Sequence, residues 1–260
     1  MNQYLSFATS LAIETGGLLS SFFSECGIQA SPKPDQTVVT EADFAADRLI
    51  TDKIHQHFPQ DGIITEESAH LVNDIHAPIW VVDPLDGTTN FSLGLPVWGV
   101  SIARLVHGIP NLGVLYFPRI NELYTAVAGS GAALNHQPIA TKAPDPNQPM
   151  SFFACCSRTF RTFDVSIQYK PRIFGSCAYS FCMVARGSAL LALEVTPKIW
   201  DLAAAWLLVE EAGGMINALD STPIFPPQLN LDYGTASWTV LAAATPMLME
   251  MGRSRIHRKA

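Results

Sequence analysis

The sequence predicts a layered fold of α-helices and β-strands that contains at least two sheets. Short apolar segments separated by turns fill most of the first half, which is typical of an antiparallel meander. Strands and helical stretches alternate in the second half. The segment 140–149 between them holds three prolines and few apolar residues. We therefore expect one domain over 1–252, with halves of about 1–140 and 150–252 that join at this segment.

Two helices are expected to open the fold, over residues 3–26 and 41–58. Apolar residues of the first recur at helical spacing and form one face, namely Leu11, Leu18, Leu19, Phe22 and Phe23. Thr40 directly precedes the second helix, and threonine is a favoured N-cap residue. The polar, proline-bearing segment 31–36 lies between the helices and can reach back over a site.

Strands are expected throughout the rest of the chain, with two further helices in the second half. The strands of the first half span 62–65, 79–82, 97–106, 112–117 and 122–127. Those of the second half span 151–156, 172–174, 190–194, 215–217 and 238–244. The two helices cover 177–186 and 201–212, and the second of them ends at a pair of glycines.

The charge of the chain is acidic and unevenly placed. The net charge is −7, from 16 basic and 23 acidic residues, and four of the basic residues lie in the last eight positions. Residues 1–252 thus hold 12 basic and 23 acidic residues, a net charge of −11, which argues against nucleic acid as a partner. We expect 253–260 to be a disordered basic tail; contact with a membrane or an acidic partner is the alternative.

The cysteines and apolar segments favour a cytoplasmic protein without a membrane anchor. Five cysteines cannot all pair and form no Cys-x-x-Cys, so free thiols in a reducing compartment are expected. The seven histidines show no zinc-ligand spacing. The apolar N-terminal stretch lacks the basic start of a signal peptide.

Two carboxylates follow the apolar run 79–82 within a turn that contains proline and glycine. Asp83 and Asp86 are three residues apart, with Pro84 between them. Such a turn can direct both carboxylates and the Leu85 carbonyl to one point, and an all-oxygen site suits a hard cation such as Mg²⁺. A surface turn explains the same residue types.

Two further acidic positions favour the metal site. Glu66 ends the apolar segment 62–65, and Asp201 lies at or near the start of the helix 201–212. Asp201 alone could be a helix cap. Carboxylates placed directly against the most apolar segments need a partner, however, and a metal ion would serve all of them.

Three segments resemble the signature blocks of the inositol monophosphatase family. They are Asp-Pro-Leu-Asp-Gly-Thr-Thr-Asn-Phe at 83–91, Glu-Glu-Ser at 66–68 and Trp-Asp-Leu-Ala-Ala at 200–204. Weaker matches at 33–43, 128–132 and 175–178 keep the family's order, whereas 143–170 shows little resemblance. The resemblance implies a five-layer αβαβα sandwich and a Mg²⁺-dependent, lithium-sensitive phosphomonoesterase, commonly a homodimer.

The resemblance also implies a ligand set for two or three Mg²⁺ ions, with Mn²⁺ as an alternative. Glu66, Asp83 and the Leu85 carbonyl would hold the first ion. Asp83 would bridge to the second ion, held also by Asp86 and Asp201, and a third, weaker ion would share Glu66. Two metals about 4 Å apart can activate water and stabilise the leaving oxygen. Glu66 and Thr88 would orient that water and accept its proton.

Substrate contacts are expected from three segments. Asp86, Gly87 and Thr88 offer side chains and backbone amides to phosphate, and Asp201 lies beside them. Gly175, Ser176 and Cys177 precede the helix 177–186, whose first amides would form a second anion site. Cys177 replaces the family's usual alanine, and Asn135-His136 replaces an Asn-Gly hairpin turn.

Outside these segments, Glu194 matches the family's substrate-binding glutamate, with pairing to Lys198 as the alternative. Lys33 and Asp43 are expected to support the site.

The expected reaction is hydrolysis of a small phosphorylated metabolite, with inositol monophosphate as the first candidate. Relatives also hydrolyse histidinol phosphate, fructose 1,6-bisphosphate and 3′(2′),5′-bisphosphate nucleotides. A non-catalytic relative that binds a metal or a polyol phosphate is the alternative of another class. It would be expected to lack a metal carboxylate, and none is missing here.

Overall fold

The computed structural model describes residues 3–24, 26–32, 38–68, 70–72, 74–145 and 151–259. Its helices are α1 (Gln3–Phe22), α2 (Glu41–His57), α3 (Thr88–Ser92), α4 (Thr159–Thr162), α5 (Cys177–Ala185), α6 (Ile199–Glu211) and α7 (Pro246–Arg255). None of the helices in these ranges has the length and apolar character needed to span a membrane.

Sixteen short strands complete the described part of the chain. Those before the junction are β1 (Ser31–Pro32), β2 (Val38–Val39), β3 (Gly62–Thr65), β4 (Ile79–Asp86), β5 (Gly99–Val106), β6 (Ile109–Phe117), β7 (Glu122–Val127), β8 (Ala132–Leu134) and β9 (Gln137–Ile139). Those after it are β10 (Phe152–Cys155), β11 (Phe163–Val165), β12 (Lys170–Arg172), β13 (Ala189–Glu194), β14 (Met215–Ala218), β15 (Val240–Ala243) and β16 (Ile256–Arg258).

The first sheet has seven strands in the order β3-β4-β5-β6-β7-β8-β9. β3 is parallel to β4, and the other neighbouring pairs are antiparallel, which confirms the predicted meander. Asn135 and His136 form the last hairpin turn with φ angles of 48° and 66°. Two-residue hairpin turns require such left-handed conformations, so the turn survives the loss of the usual glycine.

The second sheet has five strands in the order β12-β10-β13-β15-β14. β10 is parallel to both β12 and β13, whereas β15 is antiparallel to β13 and β14. Helices separate and flank the two sheets: α1 and α2 pack on the first sheet, α5 and α6 lie between the sheets, and α7 packs on β13 and β15.

Side-chain alternation shows that this packing forms five layers. On β4, Trp80 and Val82 join the core formed with α1 and α2, whereas Val81 joins the core formed with α5 and α6. On the second sheet, Gly252 of α7 packs over Leu191 and Leu241. Helix α5 packs on β13 as well, and it lies between the two sheets. The αβαβα order expected from the resemblance is confirmed.

A glycine-rich turn is attached to the far end of α6 by one carboxylate. The amides of Gly129 and Gly131 donate to the two oxygens of Glu211, each at 2.7 Å. Glu211 therefore fixes the turn between β7 and β8 to the C-terminal end of α6.

Several predicted boundaries were wrong. Helix α1 ends at Phe22 and not at 26, because the chain turns at Ser24 and Gly27 takes a φ of 82°. The strand predicted at 172–174 lies at Lys170–Arg172 instead. The Phe174 carbonyl beyond it accepts from the side chain of Asn90.

The predicted disordered tail was also wrong. Residues 253–255 end α7, and β16 pairs with β11 in an antiparallel ribbon, with Phe163 opposite Arg258. Arg253 donates to the carbonyls of Ala218 and Leu219 at 3.0 and 2.9 Å. The basic C-terminal residues through Lys259 are therefore part of the folded body. Helix α7 itself could have been found, since Thr245 caps it and Pro246 takes its first position.

Candidate active site

Strand β4 carries two carboxylates into the space between the sheets. The strand is buried along its whole length, and alternation places Asp83 on the same face as Val81, toward α6. Asp83 Oδ1 accepts the Leu85 amide at 2.9 Å, which fixes the turn around Pro84. Pairing with β5 is irregular between Asp83 and Asp86. This irregularity lets the two carboxylates approach one another.

Asp201 meets these carboxylates from α6. It is the third residue of the helix and not its cap, because the cap position falls to Lys198. One Asp201 oxygen accepts the Lys198 amide at 2.6 Å. Ligand oxygens of Asp83, Asp86 and Asp201 all lie within 4.8 Å of one another.

Glu66 approaches from the end of β3, the parallel neighbour of β4. Burial is the main cause of the raised pKa values of Asp83 and Asp201, and the Glu66 charge adds to both shifts. The Glu66 carbonyl is 2.7 Å from His70 Nε2, and the His70 ring packs on Trp200. Glu66 lines the same cavity as the three aspartates, but it is not among the carboxylates whose ligand oxygens lie within 4.8 Å of one another.

Asp86 also joins the two halves of the chain. Its carboxylate accepts hydrogen bonds from the Ser176 hydroxyl and from the amides of Cys177 and Ala178, the latter two at 3.0 and 3.2 Å. These are the amides at the start of α5 that the sequence assigned to phosphate. In this structure the anion they hold is the Asp86 side chain, and Ser176 Oγ also accepts the Tyr179 amide as the helix cap.

Thr88 is oriented by Asp43. The Thr88 hydroxyl lies 3.0 Å from both Asp43 Oδ1 and the Leu85 carbonyl. The other Asp43 oxygen accepts the Thr40 amide and hydroxyl at 2.8 and 2.6 Å, as part of the cap of α2. Asp43 thus supports the site through Thr88. Lys33, the other expected supporting residue, lies outside the described residues.

Gly87 and Gly175 permit the two halves to meet closely. Both have left-handed backbones, with φ angles of 91° and 75°. A Cβ at Gly175 would lie 2.6 Å from the Asn90 side-chain oxygen, and the Asn90 amide donates to the Val97 and Phe174 carbonyls at 2.6 and 2.7 Å. A glycine is required at 175 for this reason, besides any contact with substrate.

Glu194 ends β13 and is only 6% exposed. Burial raises the pKa of its carboxyl to about 8. The expected alternative, pairing with Lys198, is not what the structure shows among the described residues. The Lys198 ammonium donates instead to the Gly234 carbonyl at 2.7 Å.

Electrostatics in the cluster favour a bound cation. Burial, together with the Glu66, Asp201 and Asp86 charges, raises the pKa of Asp83 well above its usual range. Burial and neighbouring carboxylates raise the pKa of Asp201 to about 8, and burial raises that of Asp86 to about 6. Within the described ranges, no side-chain nitrogen of a lysine or arginine lies within 4.0 Å of the carboxylates of these three aspartates.

The donor set therefore fits a hard divalent metal. Buried carboxylates that repel one another are stabilised when a cation lies among them, and oxygen donors suit Mg²⁺ or Mn²⁺. Asp83, Asp86, Asp201, Glu66 and the Leu85 carbonyl would hold it.

The cluster lies in a cavity of about 750 Å³. All predicted site residues except Ser176, Asp43 and the undescribed Lys33 line it. It is also lined by residues that the sequence did not indicate: His70, Cys156, Arg158, Lys198, Trp200, and Asp232 and Thr235 of the loop before β15. Lys198 adjoins the Trp-Asp block and could have been found there. Arg158 lies in the segment that showed little resemblance and gave no signal.

Comparisons with known proteins agree with this geometry. Residues 1–258 match the model of the inositol monophosphatase family. The chain is 35% identical over 233 residues to a histidinol-phosphatase of Chlorobaculum parvum, covering 82% of this chain and 85% of that protein. It is 36% identical over 228 residues to the Nus factor SuhB of Escherichia coli K12, covering 84% and 85%.

A comparison with solved structures gives a match to the same kind of protein. An inositol monophosphatase from Anabaena superposes with a TM-score of 0.74 at 30% identity, covering 96% of this chain and 94% of that one.

Proposed function

This chain belongs to the inositol monophosphatase family, a family of metal-dependent phosphatases, and we propose that it hydrolyses a small phosphate monoester with Mg²⁺. The observation that carries the proposal is the convergence of Asp83, Asp86 and Asp201 within 4.8 Å in an open cavity. Inositol monophosphate is the first candidate substrate. Histidinol phosphate is the second, because a histidinol-phosphatase is among the similar proteins.

The chain's own residues can position a water molecule for attack on phosphorus. With its hydroxyl hydrogen held by Asp43 or Leu85, Thr88 Oγ1 keeps lone pairs that can accept a hydrogen bond from water. Glu66 can then take the proton that this water loses. Bound Mg²⁺ would supply activation of water and neutralisation of the phosphate oxygens.

Specificity is tested by a kinetic panel. We expect phosphate release from inositol 1-phosphate, histidinol phosphate, fructose 1,6-bisphosphate and adenosine 3′,5′-bisphosphate to differ strongly in kcat/KM. The substrate with the largest value names the activity. Absence of phosphate release from all four, and from a generic monoester, would refute the proposal and favour a non-catalytic binding protein.

Lithium is expected to inhibit hydrolysis, as the resemblance implies, by occupying the Asp86 and Asp201 position after phosphate has formed. Inhibition should then be uncompetitive or nearly so when initial rates are measured against substrate concentration. Rates that do not respond to tens of millimolar Li⁺ would contradict this and weaken the inositol phosphate assignment. The homodimer and the cytoplasmic location stay predictions.

Glu194 is expected to bind the part of the substrate that does not react. Its buried carboxylate lines the same cavity as the metal cluster and can accept hydrogen bonds from hydroxyls or an ammonium group. At a pH above the Glu194 pKa of about 8, Glu194→Gln keeps the shape but removes the charge, so KM should rise modestly for inositol 1-phosphate and severely for histidinol phosphate. Equal kcat/KM values for mutant and wild type on both substrates would show that Glu194 does not read the substrate.

A further inference from the structure

His70 lies where the two halves of the chain meet beside the acid cluster, and it lines the cavity. Its ring packs on Trp200, with 5.6 Å between the ring centroids. Trp200 directly precedes Asp201 in the first turn of α6. On its other side His70 contacts the backbone of Glu66. One side chain therefore connects the segments that carry two of the predicted metal ligands.

The hydrogen bond between His70 and Glu66 has a defined direction. His70 Nε2 lies 2.7 Å from the Glu66 carbonyl oxygen. A carbonyl oxygen can only accept, so the hydrogen of this bond is on Nε2. Within the same turn, Thr65 Oγ1 accepts the Ser68 amide at 3.0 Å. The turn that presents Glu66 is thus closed by two side chains, one before it and one after it.

A loop of the second half holds the histidine in place. The Tyr233 amide donates to the His70 carbonyl at 3.0 Å. A Cβ at Gly234 would lie 2.7 Å from His70 Nδ1, so the glycine lets the loop pack directly on the ring. Lys198 Nζ donates to the Gly234 carbonyl, and the Lys198 amide donates to Asp201. The loop that packs on His70 is therefore also connected to the start of α6.

Glu66 is the predicted metal ligand that depends most on such support. Asp83 and Asp86 lie on β4 and Asp201 lies on α6, whereas Glu66 follows the end of β3. Regular elements position side chains more precisely than turns do. A ligand on a turn needs partners that fix the backbone of the turn, and His70 is one of these partners.

We propose that His70 is a positioning residue of the metal site, and that its hydrogen bond to the Glu66 carbonyl holds this carboxylate where it can join the three aspartates around Mg²⁺. The inference rests on the metal-dependent function proposed above and adds a residue that acts through Glu66. Partners that orient metal ligands typically change metal affinity by about 10- to 100-fold when they are lost.

Mg²⁺ binding by variants of His70 tests the proposal. The readout is the Mg²⁺ concentration that half-saturates the rise in melting temperature of the chelator-stripped protein, a measurement that needs no substrate. His70→Phe keeps a ring beside Trp200 but has no donor, and should raise this concentration about tenfold. His70→Gln places an amide nitrogen at the position of Nε2, and should stay within about twofold of the wild type.

Two further variants serve as a repeat and as a control. The His70→Asn amide nitrogen is one bond too short to replace Nε2, so this variant should also raise the concentration about tenfold. His76→Phe makes the same change as His70→Phe at an exposed histidine that does not line the cavity, and should change nothing. Circular dichroism confirms the fold of each variant.

A double-mutant cycle tests whether His70 acts through Glu66. Glu66→Gln removes the charge that His70 is proposed to position. In that background, His70→Phe should change the half-saturating Mg²⁺ concentration by less than about twofold. An undiminished effect of His70→Phe in the Glu66→Gln protein would overturn the proposal.

The other outcomes separate the two proposals. Half-saturation that is unchanged in His70→Phe and His70→Asn, or raised equally in His70→Gln and His70→Phe, overturns the role of His70 and leaves the phosphatase function intact. Mg²⁺ binding that depends on the His70 donor, without phosphate release from any substrate of the kinetic panel, overturns the phosphatase function alone. No rise in the melting temperature of the wild type with Mg²⁺ overturns both.

Discussion

Asp83→Asn is expected to lower kcat by several orders of magnitude without unfolding the protein. Ligand oxygens of Asp83, Asp86 and Asp201 lie within 4.8 Å of one another, and Asp83 would be one of the carboxylates that hold the metal. The asparagine side chain has the same shape and keeps the turn. It offers a metal one neutral oxygen, whereas the Asp83 carboxylate offers two oxygens that share a negative charge. The measurement is phosphate release at saturating Mg²⁺, with circular dichroism to confirm the fold.

The same substitution should stabilise the metal-free protein. The pKa of Asp83 is higher in the folded protein than in the unfolded chain. Its stabilising contribution is therefore present below the pKa of the unfolded chain and is lost as the pH rises through the raised pKa of the folded protein. Asn cannot become charged and so removes the destabilisation that the buried Asp83 carboxylate causes. The melting temperature without metal should therefore rise at pH 7 to 8. Asp52→Asn, at an exposed position on α2, is the matched control and should change neither quantity. Near-normal turnover of Asp83→Asn would refute the metal site.

Asp86→Ala is expected to lose both activity and stability. The Asp86 carboxylate holds the Ser176 hydroxyl and the first amides of α5, and so connects β4 to the second half of the chain. Alanine would leave these buried donors unpaired, at a cost of about 3 kcal/mol in the free energy of unfolding. Urea denaturation without metal measures it.

Substitutions at the two aspartates are thus expected to change the stability of the metal-free protein in opposite directions. Asp83→Asn should raise the stability of the metal-free protein, whereas Asp86→Ala should lower it. An unfolding free energy of Asp86→Ala equal to that of the wild type would show that the contacts with Ser176 and α5 do not hold the halves together.

The acid cluster could be predicted because each of its members lies at the end of an apolar element. Glu66 follows β3, Asp83 follows the apolar run 79–82 of β4, and Asp201 lies in the first turn of α6, so local patterns were enough to suggest that they converge. The resemblance then supplied their order around the metals. The hydrogen bond from Thr88 to Asp43 could not be predicted from local patterns, because Asp43 lies in the first turn of α2, 45 residues earlier in the chain.

The surface that brings together the basic residues of 157–172 and 253–259 could not be predicted, for a different reason. A charge sum over 1–252 averages the arginines of 157–172 with the acidic body, and the tail was counted apart from them. Only the pairing of Phe163 with Arg258, a contact of long sequence separation, shows that the two groups share one surface. Three-residue strands such as β11 and β16 carry too few side chains to show a period.

The central claim is that the carboxylate cluster holds the divalent cations on which hydrolysis depends. It is tested most directly by measuring phosphate release from inositol 1-phosphate and a generic monoester after the protein is stripped with a chelator, and again as Mg²⁺ is returned. We predict no release from the stripped protein, saturable recovery with Mg²⁺ in the wild type, and no recovery in Asp83→Asn. Release that continues undiminished in excess chelator would contradict the claim.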